Sequence, residues 1–232
     1  MKTKEKIRTG VAKIAIESQD IKSDIITFVG DEFNKSIELK NQTSETIKEI
    51  TKDTLDGVYE GISEVKDKEQ QYADRLTENG VEIEEIMKKS AEAMVNVAKQ
   101  KGEKALAESK EAAEKAKELF DDASNKVQHS IDNIENKVKE QMEVTLKDLN
   151  ETKKEAKGKL EAISDALKDY ANEKKNKTSD AISDALHKTA DKSKNAVIDL
   201  MNLAKSHSKK LTNHSIRNVS DWLKKLSNKI NS

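Results

Sequence analysis

Apolar residues recur along this chain at helical spacing with few interruptions. The series Ala116, Phe120, Ala123, Val127, Ile131, Ile134, Val138, Met142 and Leu149 advances in steps of four and three, with the polar Thr145 as its lapse. Counting by eleven from Phe28 meets mostly apolar residues as far as Leu226, by way of Ile50, Met94, Val127, Leu149, Leu160 and Ile182. Three turns in eleven residues is roughly 3.67 residues per turn, close to an unstrained helix. A seven-residue repeat forces a left-handed supercoil, whereas an eleven-residue repeat leaves the stripe almost straight. The predicted fold class is all-α: long amphipathic helices with eleven-residue periodicity, elongated or loosely bundled. Phe120, Val127, Ile131, Ile134, Val138, Met142, Leu149 and Leu160 form its clearest apolar stripe.

The two ends follow a different rhythm. Ile7, Val11, Ile14, Ser18, Ile21, Ile25 and Phe28 alternate steps of four and three, as do Ile216, Val219, Leu223, Leu226 and Ile230. Both are predicted to be heptad-type packing helices. A similar patch, Leu55, Val58, Ile62, Val65, Tyr72 and Leu76, lapses at Glu69. Helix-to-helix contact is expected at these places.

With no proline in the chain, stops are few. Gly30 before Asp31 reads as a helix stop and a new N-cap, and Asn79-Gly80 as another stop. Thr46 to Glu49 and Thr152 to Glu155 read as capping boxes, and Thr178-Ser179-Asp180 as a start. The polar run SHSKKLTNHS, 206–215, reads as a joint. The predicted segments are 1–30, an N-terminal amphipathic helix; 31–80, an acidic helical segment; 81–205, the eleven-residue-repeat region; and 206–232, a basic amphipathic helix. Residues 81–176 as one helix would extend roughly 140 Å.

Composition narrows the picture. The chain has 232 residues, 38% of them charged and 3% aromatic, which disfavours a thick globular core. It has no cysteine, hence no disulfide framework or thiolate chemistry. The first residues never run seven apolar side chains together, so no secretory leader is expected, and no apolar run approaches the length of a bilayer span. The expectation is a cytoplasmic protein able to lie peripherally on a membrane. Net charge is −1, yet residues 201–232 hold seven Lys and Arg against one Asp. Only Arg8, Arg75 and Arg217 are arginines, so specific nucleic-acid reading is disfavoured.

Candidate chemistry is sparse. His129, His187, His207 and His214 lack metal-site spacing and read as solvated surface. Paired carboxylates such as Glu114 and Glu118 perform acid–base work only where burial shifts a pKa. No phosphate-loop, dinucleotide, zinc-protease or nucleophile-elbow pattern occurs. The expectation is no enzyme, no cofactor, no metal and no small-molecule substrate. Gly57-Val58-Tyr59-Glu60-Gly61 has the small-xxx-small spacing of membrane helices but sits among acids, and reads as close helix packing or a weak spot in a helix.

The C-terminal segment carries the most specific signal. On a helix, Leu211, Ile216, Val219, Trp222, Leu223, Leu226 and Ile230 share one broad face, with Lys209, Lys210, Arg217, Lys224 and Lys225 flanking or opposing it. This is the pattern of a helix lying in an anionic membrane interface, each nearby Lys adding about 1 kcal/mol. Packing of that face on another helix explains the same residues.

Residues 112–122, AAEKAKELFDD, resemble the eleven-residue unit of group 3 late embryogenesis abundant proteins: small residues at Ala112, Ala113 and Ala116, Lys117, acids at Glu114 and Glu118, and an acidic close at Asp122. The phase over roughly residues 83–204 is also similar to exchangeable apolipoproteins and granule-coating phasins. That resemblance implies a chain that becomes helical on drying or on lipid and shields membranes or proteins. Phe120, Ile131, Ile134 and Met142 are bulkier than the family pattern and supply burial for a stable bundle. Two partner classes follow: an anionic membrane or other apolar surface, with the C-terminal helix as anchor, or self-association, in which the stripe packs helix on helix as a scaffold.

Overall fold

The structure is a computed structural model. It describes residues 3–38, 42–68, 70–126, 131–174 and 179–230, with the side chains at 113, 116–126, 131–139, 141–142, 145, 208 and 210–230 outside the described set. Among the described residues there are seven helices and no strand: α1 Thr3–Glu17, α2 Ile21–Ser36, α3 Ser44–Lys68, α4 Gln70–Glu78, α5 Ile83–Lys126, α6 Ile131–Glu173 and α7 Asp180–Ile230. The fold is all-α. No helix among the described residues is long and apolar enough to cross a membrane.

Several predicted stops move. Gly30 lies inside α2, which continues to Ser36, and the chain breaks instead at 18–20, where the Asp20 carboxylate accepts from the Ser23 amide at 3.3 Å. Only Gly80 among the described glycines has a left-handed backbone, φ 58°, and there the predicted stop holds. The Val81 amide donates to the Leu76 carbonyl at 2.8 Å and the Gly80 amide to that of Thr77 at 2.9 Å, satisfying the last carbonyls of α4. The cap of α3 is Thr43, whose Oγ1 accepts from the Thr46 amide at 3.2 Å, so Thr46 lies within the first turn. Thr152 lies inside α6 and starts nothing. Ser179 caps α7, its Oγ accepting from the Ile182 amide at 3.3 Å, while Thr178 and Glu69 lie outside the described residues.

The polar run 206–215 does not interrupt α7. A run without Gly or Pro costs a helix only small propensity differences, so polarity alone is no reason to stop. Of the span 81–176, the described helices are α5 and α6, and the Ser109–Thr152 hydrogen bond sets them side by side rather than end to end.

The chain forms two compact units, Met1–Gly102 with Glu155–Ile198, and Glu103–Lys154 with Asp199–Ser232. In the first, paired residues fix the helix directions. Lys4 meets Glu60 at 2.7 Å and Arg8 meets Glu64 at 3.6 Å, so α1 and α3 run parallel. Lys6 pairs with Glu32 while Gly10 faces Phe28, so α1 and α2 run antiparallel. Lys22 with Glu85 and Lys101 with the Asn34 carbonyl set α5 parallel to α2. Lys48 with Asp165 and Lys52 with Glu173 set α6 parallel to α3. Ser183 bonds Ala171 and Ser164 bonds Ala190, so α7 returns along α6. Successive long segments thus alternate in direction around a core that includes Ile7, Ile25, Phe33, Leu55, Met94 and Leu167, all buried.

The glycine pair of α3 explains how closely α1 lies. A Cβ built on Gly57 would stand 2.7 Å from the Lys4 carbonyl oxygen, and one on Gly61 would stand 2.7 Å from that of Arg8. The motif serves close helix packing, as its spacing predicts.

In the second unit Leu106, Leu149, Leu200 and Ala204 are buried. Ser109 and Thr152 share a hydrogen bond at 3.2 Å, which brings that part of α6 back alongside α5.

Candidate functional site

Counting by eleven, the described positions from Leu149 to Ala204 lie in the interior, whereas Phe28, Ile50, Tyr72, Ile83 and Ala105 are half-buried. Leu149 and Leu160 are buried, and so are Ala171, Ile182, Ser193 and Ala204, the four further positions reached by counting eleven. Phe120, Val127, Ile131, Ile134, Val138 and Met142 lie outside the described residues. Of the predicted surface-binding set, Lys209 is exposed. The side chains of Lys210, Leu211, Ile216, Arg217, Val219, Trp222, Leu223, Lys224, Lys225, Leu226 and Ile230 lie outside the described residues, although the backbone of α7 is helical through Ile230. His187 and His207 are half-buried, and His129 and the side chain of His214 lie outside the described residues.

The densest polar cluster was not visible in the spacing. Asp56, on α3, is 3.0 Å from Lys174 and 3.9 Å from Lys4. The Lys174 amine lies 5.5 Å from the centre of the Tyr170 ring. Burial first, and the Asp56 carboxylate second, push the Tyr170 phenol far above its ordinary pKa. The cluster ties α3 to the end of α6.

A second cluster closes α2. Lys101 donates to the carbonyls of Asn34 and Ile37, at 2.6 and 2.5 Å, and Lys159 donates to that of Glu38 at 2.6 Å. Two amines thus meet the negative end of a helix, where cations are favoured. Burial pushes the Lys159 amine below the usual lysine pKa. Lys159 is 6% exposed.

A cleft of about 360 Å³ lies among Tyr59, Lys66, Gly80, Glu82, Glu84 and Ser179. Ser179 donates to Glu84 at 2.9 Å while capping α7, so its hydroxyl is engaged as a helix cap. No group of three or more His, Asp or Glu suited to a metal occurs among the described residues.

Sequence spacing missed Asp56, Tyr170, Lys101 and Lys159 for one reason. Each meets a partner far away in sequence, and helix register across such distances leaves no periodic trace. Together these features define an all-α helical-bundle protein. Comparison with protein-family models, with curated proteins and with solved structures gives no match.

Proposed function

We propose that this chain is a non-enzymatic structural protein, a helical bundle whose eleven-residue stripe packs helix on helix. The observation that carries this reading is the burial of every eleventh residue from 149 to 204: Leu149, Leu160, Ala171, Ile182, Ser193 and Ala204. Side chains already turned inward are not free to meet lipid. Among the described residues the large apolar side chains left exposed are Val144 and Ile198, too few for an interfacial face.

A second role, on anionic lipid, is favoured by the C-terminal segment alone. Its seven Lys and Arg against one Asp, with Trp222, lie along a helix that continues to Ile230. The shielding role implied by resemblance to late embryogenesis abundant proteins, apolipoproteins or phasins would then rest on this segment rather than on the stripe.

Circular dichroism and sedimentation, each with and without anionic vesicles, test both readings. The bundle reading expects high helicity and a cooperative melt without lipid. A chain that is unstructured until vesicles are added would sink it.

A further inference from the structure

The chain reverses direction at Ser18-Gln19-Asp20, between α1 and α2, yet the apolar spacing does not register the turn. Ile7, Val11, Ile14, Ser18, Ile21 and Ile25 keep steps of four and three straight across it. The same residues would form one continuous stripe if α1 and α2 joined end to end. The turn contains neither Gly nor Pro, so none of its residues carries the large helix penalty of those two.

What holds the reversal is a small set of polar contacts. Asp20 caps α2, the Ser18 hydroxyl donates to Asp24 at 2.5 Å, and the Arg75 guanidinium donates to the carbonyls of Ile16 and Ser18 at the end of α1. Removing them leaves a sequence whose own periodicity favours the straight form.

The surface that receives α1 recognises it by pattern. Gly57 and Gly61 form the floor of a groove on α3, against Ile7 and Val11. Beside that floor Glu60 and Glu64 meet Lys4 and Arg8, basic residues four apart facing acids four apart. Any copy of α1 carries the same pattern.

We propose that α1 exchanges between two copies of this chain. Opening of the 18–20 turn joins α1 to α2 as one helix, and α1 of each copy enters the Gly57/Gly61 groove of the other, giving a symmetric, domain-swapped dimer. The α1–α3 contact is the same in both forms. The balance is therefore set by the turn contacts and by concentration. This inference rests on the α1–α3 contact of the bundle, and it stands or falls independently of lipid binding.

The absence of cysteine makes the test direct. Full-length Lys4→Cys and full-length Glu60→Cys chains are mixed and treated with a short bismaleimide, so that a covalent heterodimer of this pair requires α1 of one copy beside α3 of the other. The expected result is a heterodimer that grows with concentration and rises several-fold when both chains also carry Asp20→Ala and Arg75→Gln. The comparison pair is Lys4→Cys with Glu108→Cys, and the doubly substituted Lys4→Cys/Glu60→Cys chain reports the contact within one copy. Cross-linking only within one copy, with heterodimer no higher than in the comparison pair for either background, overturns the proposal. So does a failure to cross-link in either arrangement, since α1 then does not occupy the groove.

Discussion

Gly57 and Ile7 face each other across the α1–α3 interface with no room for a methyl group between them: a Cβ on Gly57 would stand 2.8 Å from that of Ile7. The acid on either side of this glycine's turn meets a base of α1, so packing and charge act at one place. Gly57→Ala and Gly61→Ala should each destabilise the protein, because the clash is with backbone and β-branched atoms that do not yield. Overpacking of this kind costs about 1–3 kcal/mol, against a gain of up to about 1 kcal/mol in helix propensity. Gly30→Ala is the internal control. Its Cβ would meet only Ala93 at an ordinary 3.8 Å, so the propensity gain should survive as a rise in the denaturation midpoint. Equal effects at positions 30 and 57 would contradict this account of the interface.

Ser90 is fully buried on α5, and its hydroxyl has no hydrogen-bond partner. Other buried hydroxyls behave otherwise: Ser193 donates to the Ala190 carbonyl at 2.6 Å and Thr51 to that of Ile47 at 2.8 Å. An unsatisfied buried hydroxyl costs on the order of 1–3 kcal/mol. Ser90→Ala should therefore stabilise by about 1 kcal/mol in urea unfolding, whereas Ser193→Ala and Thr51→Ala should not. Destabilisation by Ser90→Ala would mean that the hydroxyl has a partner after all.

Glu32 is 6% exposed and sits between Lys6 and Lys35, the latter at 2.8 Å. Its hydrogen bond to Lys35, then its ion pair with Lys6, holds the carboxyl below its usual pKa. A carboxylate whose folded pKa is depressed contributes stability above its unfolded pKa, near about 4.3, and loses it as pH falls through the folded value. Stability should thus decline on acidification below about pH 5. Glu32→Gln should remove part of that decline while lowering stability at neutral pH. Urea midpoints measured across that range check the sign, and an unchanged slope in the variant would assign the acid sensitivity to other carboxylates.

What the sequence made legible follows from what periodicity records. The all-α class, the stop at Gly80 and the small-residue spacing of Gly57 and Gly61 are set by residues close in the chain, where 3.6-residue geometry and backbone freedom act directly, although the helix that fills the glycine groove, α1, is distant in sequence. The break at 18–20 escaped because Asp20 replaces the lost helical bonds locally while the apolar steps continue through it. The stop expected at Gly30 failed because a glycine inside a packed helix need not adopt positive φ. The inward direction of Leu160 and Ile182 was equally out of reach. A straight stripe fits a flat surface as well as a second helix, and only the placement of α3, α6 and α7 distinguishes them.

Trp222 offers the most direct reading of the C-terminal segment, because it is the chain's single tryptophan and its fluorescence reports that segment alone. If the segment lies on anionic lipid, adding vesicles should shift the emission to the blue. Rising salt should weaken that response as the attraction between the lysines and the headgroups is screened. Lys224→Glu with Lys225→Glu should abolish it, each reversal removing about 1 kcal/mol of attraction and adding repulsion. The bundle should still melt at its original temperature, since those two lysines belong to the second unit while the core around Leu55 and Phe33 belongs to the first. A tryptophan that is blue-shifted before lipid is added, and unmoved by it, would mean that this face packs against protein.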